Sequence, residues 1–152
     1  VFIQWFRRSY YNLNLRMRTK HDDGWAAGAW FVPIICLFRP FQMMKEIDEG
    51  LGILIERRGA KPQKSHASLI GIWWGLWILA NYIGQFVLRS SLKADTLDGL
   101  LNATVIEMFS FVPDIPLAIT AALLVKAIAA KEEHLLQLEQ EEYQLKVAWS
   151  TA

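Results

Sequence analysis

The chain has 152 residues, enough for one compact unit, and its 16 basic side chains nearly balance its 15 acidic ones. A nucleic-acid-binding protein is expected to carry a basic excess and a recognisable motif; neither is present, so we predict no nucleic-acid partner. The single cysteine excludes an internal disulfide. Seven tryptophans and four tyrosines are many for this length, and such side chains favour membrane–water interfaces.

An amphipathic pattern covers residues 3–18. Apolar side chains recur at spacings of three and four, the period of one helix face, at Ile3, Phe6, Tyr10, Leu13 and Met17. Basic side chains fill the remaining surface, among them Arg7, Arg8 and Arg16. We predict a basic helix that contacts lipid headgroups through these arginines, with a surface helix packed on its own domain as the alternative. Residues 1–5 read like the end of an apolar helix, so we expect an upstream membrane segment.

The next apolar stretch, residues 24–38, is too short to cross a bilayer unless it continues to about residue 44. Pro33 and Pro40 interrupt regular helical hydrogen bonding, and Arg39 would have to reach the headgroup layer. We therefore predict one short membrane helix over residues 24–44, either a kinked span or a re-entrant segment. Basic residues on both flanks favour the re-entrant arrangement. The amphipathic pattern that follows, in residues 41–58, predicts a helix that breaks at Gly50 and Gly52.

Two longer apolar stretches, residues 69–88 and 103–125, are close to the roughly 20 residues needed to cross a bilayer. The first carries no charge, and the second carries only Glu107 and Asp114. The short polar connection between them predicts an antiparallel hairpin. The predicted fold class is therefore an all-α integral membrane protein with two transmembrane helices.

We expect residues 1–125 to form a single membrane domain and residues 126–152 to form a charged helical tail. The apolar residues of the tail fit a heptad seam at Ile128, Leu135, Leu138, Leu145 and Trp149, but Lys131 and Glu142 occupy two seam positions. A solvated helical tail is favoured over a coiled coil. A basic linker before residue 69 predicts that the tail is cytoplasmic.

Two carboxylates and two glycine patterns are the candidate functional positions within the apolar stretches. Asp114 and Glu107 lie where an unpaired carboxylate is costly, so either could belong to an ion or proton path. The alternative for Asp114 is that it caps a helix break at Pro113, and the alternative for Glu107 is that it lies at the outer membrane interface. Gly24 with Gly28, and Gly71 with Gly75, form G-x-x-x-G patterns, which let a second helix approach closely in lipid. We predict helix packing there, within this protein or against a partner.

Three stretches carry motifs of rare residues in a fixed order. Residues 5–13 fit W-x-x-R-x-Y-x-N-L. Residues 24–47 fit G-W-A-x-G-x-W-F-x-P followed by L-x-R-P-[YF]-Q-x-x-K-E-[IL], and residues 73–77 fit W-W-x-L-W. Over residues 5–88 the chain therefore resembles a bacterial membrane family, domain of unknown function 4328. The resemblance implies a small multi-span bacterial membrane protein with an upstream membrane helix and no established activity.

The sequence contains no metal-ligand, nucleophile or phosphate-loop motif, and His21, His66 and His134 lie in separate segments. We therefore predict no catalytic or metal-binding residues, no cofactor and no enzymatic activity. The first hypothesis is an accessory or interaction subunit of the bacterial cytoplasmic membrane, multi-pass, with membrane lipids and other membrane subunits as partners. The lipid-headgroup contacts would be Arg7, Arg8, Arg16 and Arg39. The alternative is ion or proton translocation through Asp114.

Overall fold

A computed structural model describes residues 1–22, 24–92 and 97–150. Within these ranges the chain is helical and contains no strand, as the fold class predicted. The helices are α1 (Phe2–Arg16), α2 (Trp25–Gly28), α3 (Arg39–Arg57), α4 (Ala67–Ser91), α5 (Leu97–Ser110) and α6 (Asp114–Ser150), with a 3-10 turn at Ile35–Leu37. Two compact units are present: the first unit is Val1–Ile70 with Leu124–Ala152, and the second unit is Gly71–Leu123.

The core of the first unit is built from apolar stripes on α1, α3 and α6. The predicted stripe of α1 turns inward, and Phe6, Tyr10 and Leu13 are buried. Because residues three or four apart share one helix face, the buried positions of α3 and α6 follow the same spacing. On these two helices they include Met44, Ile47, Leu51 and Ile55, then Leu124, Ile128 and Leu135.

The predicted break at Gly50 and Gly52 is wrong, because α3 continues through both glycines to Arg57. Gly50 packs against Leu13 of α1: a Cβ at this position would stand 2.8 Å from Leu13 Cδ1. The helix ends further on, with Gly59 at φ 78°, a left-handed conformation that suits glycine. Gly50 therefore permits close packing instead of ending the helix.

Residues 24–44, predicted as one short kinked or re-entrant helix, do not form a single continuous helix in the structure. The stretch is divided into α2, irregular turns, the 3-10 turn and the first residues of α3. Pro33 lies between α2 and the 3-10 turn, where its missing N–H interrupts helical hydrogen bonding. Pro40 instead lies in the first turn of α3, where helical N–H groups have no partner within the helix and proline is well tolerated.

Among the described residues, two helical segments are long and apolar enough to cross a membrane: Ala67–Arg89 and Thr104–Ser150. Within the second segment the helix is interrupted by a turn at residues 111–113, so α5 ends at Ser110 and α6 begins at Asp114. Pro113 accounts for this break. Of the expected polar connection after residue 88, residues 93–96 lie outside the described residues, and α4 itself continues to Ser91.

The charged segment after residue 125, predicted as a solvated helical tail, belongs to the first unit. It continues α6 as far as Ser150, but its first turns pack into the first unit, where Ile128, Lys131 and Leu135 are buried. Beyond Glu139 every described residue is exposed, so a solvated helix begins only there. The apolar residues of the seam share one face of α6, and this face is buried at Ile128 and Leu135.

Candidate functional site

A buried pair of opposite charges lies at the centre of the first unit. Asp48 shares one face of α3 with Met44, Leu51 and Ile55, at spacings of four, three and four, and this face is buried. Lys131 lies on the buried face of α6 between Ile128 and Leu135. Packing these two faces together takes both charged side chains out of water, and only 1% of Asp48 and 3% of Lys131 is exposed.

The Asp48 carboxylate receives hydrogen bonds from three residues. Lys131 Nζ donates to Oδ1 at 2.6 Å and also lies 3.3 Å from the Asp48 carbonyl oxygen. The His66 backbone N–H donates to Oδ2 at 2.8 Å, and His66 Nδ1 lies 2.8 Å from Oδ1. Ser65 Oγ lies 3.4 Å from Oδ2. Because an ionised carboxylate only accepts, His66 Nδ1 is the protonated ring nitrogen in this arrangement.

This carboxylate also fixes the beginning of the first span-capable helix. His66 and Ser65 directly precede α4, and Ser65 Oγ accepts a hydrogen bond from the Ala67 N–H at 3.3 Å. The N–H groups at the start of a helix have no partner within the helix, so side-chain oxygens must satisfy them. Asp48 thus joins α3, the start of α4 and α6 at one point.

The ionisation of Asp48 is set by opposing effects. Burial by itself raises the pKa of the Asp48 carboxyl, but the hydrogen bonds from Lys131 and His66 outweigh burial and lower it below its ordinary value. The carboxylate is therefore charged at neutral pH.

A cleft of about 250 Å³ adjoins the pair and is lined by Gln63, Ser65 and Glu56 as well as by Asp48 and Lys131. The arrangement holds three helical segments together through a fixed charge, and its acceptor oxygens are already engaged.

A second group of charges lies where α1, α3 and α6 meet. Arg16 donates to both oxygens of Glu139, from Nε and from Nη2, each at 2.9 Å, and Arg58 Nη2 donates to Oε1 at 2.9 Å. Two parallel bonds from one guanidinium make a geometrically specific pair. Arg16, predicted to contact lipid headgroups, therefore has an internal partner.

Arg39, the fourth predicted headgroup contact, also has partners within the first unit. Its Nη1 donates to His21 Nδ1 at 2.8 Å, and its guanidinium carbon lies 5.7 Å from the centre of the Trp25 ring. Burial and the nearby charge of Arg39 lower the pKa of His21, so the neutral imidazole that accepts this bond is favoured. Of the four arginines, Arg7 and Arg8 are exposed on α1.

The predicted carboxylates are not brought together with a basic partner by any described contact. Asp114 is exposed and begins α6, where a carboxylate interacts favourably with the positive end of the helix. Glu107 is exposed on α5. The position of Asp114 at the start of α6 agrees with the helix-break alternative, which stays a prediction.

The predicted packing glycines face open space. A Cβ added at Gly28, Gly71 or Gly75 would meet nothing within 4 Å, and at Gly24 it would meet only Asp22 Oδ1, at 3.1 Å. Helix packing at these positions, within this protein or against a partner, stays a prediction.

Sequence reasoning missed the cluster of Asp48, His66 and Lys131. Its traces were present as irregularities: Lys131 interrupts an apolar seam, and Asp48 interrupts the apolar face of α3. A charged residue at a core-facing position predicts a buried partner of opposite charge, because an unpaired buried charge is strongly destabilising. The pattern on either helix alone does not identify which residue that partner is.

Residues of the first two motif stretches, 5–13 and 24–47, contact one another in the first unit. The Tyr10 hydroxyl donates to Glu46 Oε2 at 2.8 Å, and burial is the main reason that the pKa of Tyr10 is raised to about 12. Trp30 lies edge-on to Phe6, with 6.0 Å between ring centres, and its Nε1 donates to the Ala26 carbonyl oxygen at 3.1 Å. The motif positions are thus packing and hydrogen-bonding partners.

Comparison with known proteins agrees with the motif resemblance. No curated protein and no solved structure matches the chain. A family model does match, over residues 1–130, which is most of the sequence. The chain therefore belongs to the family described as Domain of unknown function (DUF4328).

Proposed function

We propose that the protein is an accessory or interaction subunit of the bacterial cytoplasmic membrane, with no catalytic activity of its own. The observation that carries this proposal is the exposure of the two helical segments that are long and apolar enough to cross a membrane. Only 17% of the apolar window in Ala67–Arg89 and 6% of that in Thr104–Ser150 is buried. Apolar helices with so little cover within the chain fit an environment of lipid and neighbouring membrane helices better than water.

The contacts within the first unit suit a structural role better than a catalytic one. Its buried charges are joined by short hydrogen bonds, and Asp48, which accepts from Lys131 and His66, has its carboxylate oxygens engaged. A nucleophile or general base needs an accessible atom for a substrate, whereas these groups join the chain's own helices. We therefore assign the first unit to positioning the spans and presenting a surface to partners.

The orientation follows from the basic linker ahead of α4. Arg57, Arg58, Lys61 and Lys64 precede the first span within a few residues, which favours the cytoplasmic side for this linker. A multi-pass arrangement in which the chain crosses twice returns the end of α6 to the same side. Membrane lipids and at least one other membrane subunit are the proposed partners, with headgroup contacts from Arg7 and Arg8.

Purification in mild detergent tests the accessory role. The full chain is expected to retain a membrane protein in fixed stoichiometry, and the Gly71→Leu/Gly75→Leu variant is expected to lose it, because the added side chains prevent close helix approach. Ile72→Leu, which keeps its volume on the same helix, is the matched control and should retain the partner. A strictly monomeric wild-type particle, or equal retention by all three proteins, would contradict the proposal.

The alternative, ion or proton translocation through Asp114, has its own test. Proteoliposomes containing the wild-type protein would have to show a proton flux that Asp114→Asn abolishes. The accessory role predicts instead that the two proteins are equally impermeable. An exposed carboxylate in the first turn of α6 is explained by the helix dipole alone.

A further inference from the structure

Residues 31–38 form an apolar loop of the first unit with several exposed large side chains. Phe31 is 78% exposed and Ile34 is 74% exposed, on either side of Pro33, and Val32 and Phe38 are also exposed. Single exposed apolar residues are ordinary, but a contiguous set of large ones on one loop marks an interaction surface. We propose that this loop inserts shallowly into an anionic lipid bilayer and anchors the first unit to the membrane surface. The inference rests on the membrane placement in the proposed function.

The backbone of the loop limits how deeply it can enter. Between α2 and α3 it forms turns and one 3-10 turn of three residues, not a helix of spanning length. In hydrocarbon every backbone N–H and C=O needs an internal partner, so irregular backbone does not lie exposed to lipid in the bilayer core. Apolar side chains on such a backbone suit the boundary between headgroups and acyl chains.

The surroundings of the loop match the chemistry of that boundary. Arg39 follows Phe38 directly and lies over Trp25, and the indole rings of Trp25 and Trp30 belong to the residue type that favours membrane interfaces. The neighbouring helix α1 contacts Trp30 through Phe6, and the next two residues, Arg7 and Arg8, are exposed cations. Apolar side chains with cations nearby are complementary to anionic lipid.

Depth-dependent quenching tests the insertion. The native Cys36 is the chain's only cysteine, so Cys36→Ser gives a background for single labels. Fluorescent labels are placed at Phe31→Cys and Ile34→Cys, with Ile53→Cys as an exposed apolar control on α3 and Leu79→Cys as a reporter on α4. The full chain is reconstituted into phosphatidylcholine vesicles with and without phosphatidylglycerol, containing lipids with a nitroxide near either end of the acyl chain.

The expected pattern is specific to shallow insertion. Labels at positions 31 and 34 should be quenched several-fold more by the nitroxide near the headgroup than by the one near the chain end, while the label at position 53 stays unquenched. Removing phosphatidylglycerol, or introducing Arg7→Gln/Arg8→Gln, should reduce this quenching several-fold.

Two results would overturn the inference. Labels at positions 31 and 34 that are quenched no more than the label at position 53 would mean that water or protein covers the loop. Stronger quenching near the chain end would mean that the loop crosses the bilayer. Deep quenching at position 79 with none at the loop refutes the loop anchor alone, whereas no quenching at either site refutes the membrane placement too.

Discussion

Lys131 Nζ lies 2.6 Å from Asp48 Oδ1, and this contact joins two helices across 83 residues of sequence. Both side chains are almost fully buried. The contact places the charged part of α6 against α3 at the residue that also caps α4. Because removing one member of a buried pair leaves an uncompensated charge, the pair specifies how these three segments meet.

The first prediction concerns loss of the lysine. Lys131→Met should lower the free energy of unfolding by about 3–5 kcal/mol, because Asp48 is then buried without its countercharge. The double variant Asp48→Asn/Lys131→Met removes both charges and keeps an oxygen that can accept from the His66 N–H. It should therefore be more stable than Lys131→Met. Chemical unfolding in detergent, followed by helical circular dichroism, measures both. A double variant that is less stable than the single one would contradict the pairing.

The second prediction is a loss of stability in acid that depends on Asp48. Its folded-state pKa is lowered, so the stabilisation is fully present above the unfolded value of about 3.9 and is lost as pH falls through the folded pKa. Unfolding free energies measured from neutral pH down to below about pH 4 should decline more steeply in the wild type than in Asp48→Asn. Parallel curves for the two proteins would refute the prediction.

The third prediction concerns the contact between His21 and Arg39. The lowered pKa of His21 means that this group contributes stability above its ordinary pKa of about 6.5, which is lost as pH falls through the lower folded value. Protonation places a second cation beside Arg39, so the fluorescence of Trp25, measured in a variant where the other tryptophans are phenylalanine, should change on acidification. His21→Gln keeps an acceptor that does not titrate, and its fluorescence should stay constant over the same range.

The fourth prediction compares two glycines on α3. Gly52→Ala should stabilise the protein by about 0.5–1 kcal/mol, since alanine favours the helix and the added Cβ meets nothing within 4 Å. Gly50→Ala places a Cβ against the buried Leu13 side chain and should be at least about 1 kcal/mol less stable than Gly52→Ala. Thermal unfolding of the two single variants measures the difference. Equal stability of the two variants would show that the Leu13 side chain can move away from the added Cβ without a cost in stability.

The predicted and observed structures agree where the physics is local. An apolar period of three to four residues over 3–18 indicated α1, and lengths near 20 apolar residues indicated the two span-capable helices, because both features depend on neighbouring positions along one chain. The interruption of the helix at residues 111–113 also depends on a local property, the missing N–H of Pro113. The partners of Arg16 and Arg39 are instead distant in sequence, Glu139 and His21, and a local pattern does not identify them.

By itself, the sequence determined that the chain is helical, that two stretches suit a membrane, and that the family motifs lie within residues 5–88. Only the tertiary structure decided that Asp48 pairs with Lys131 and that Glu139 pairs with Arg16. It also decided that Leu13 packs against Gly50. The physical reason is the separation of the partners: periodicity reports which face of a helix is buried, but the partner across that face is set by packing between helices far apart in sequence.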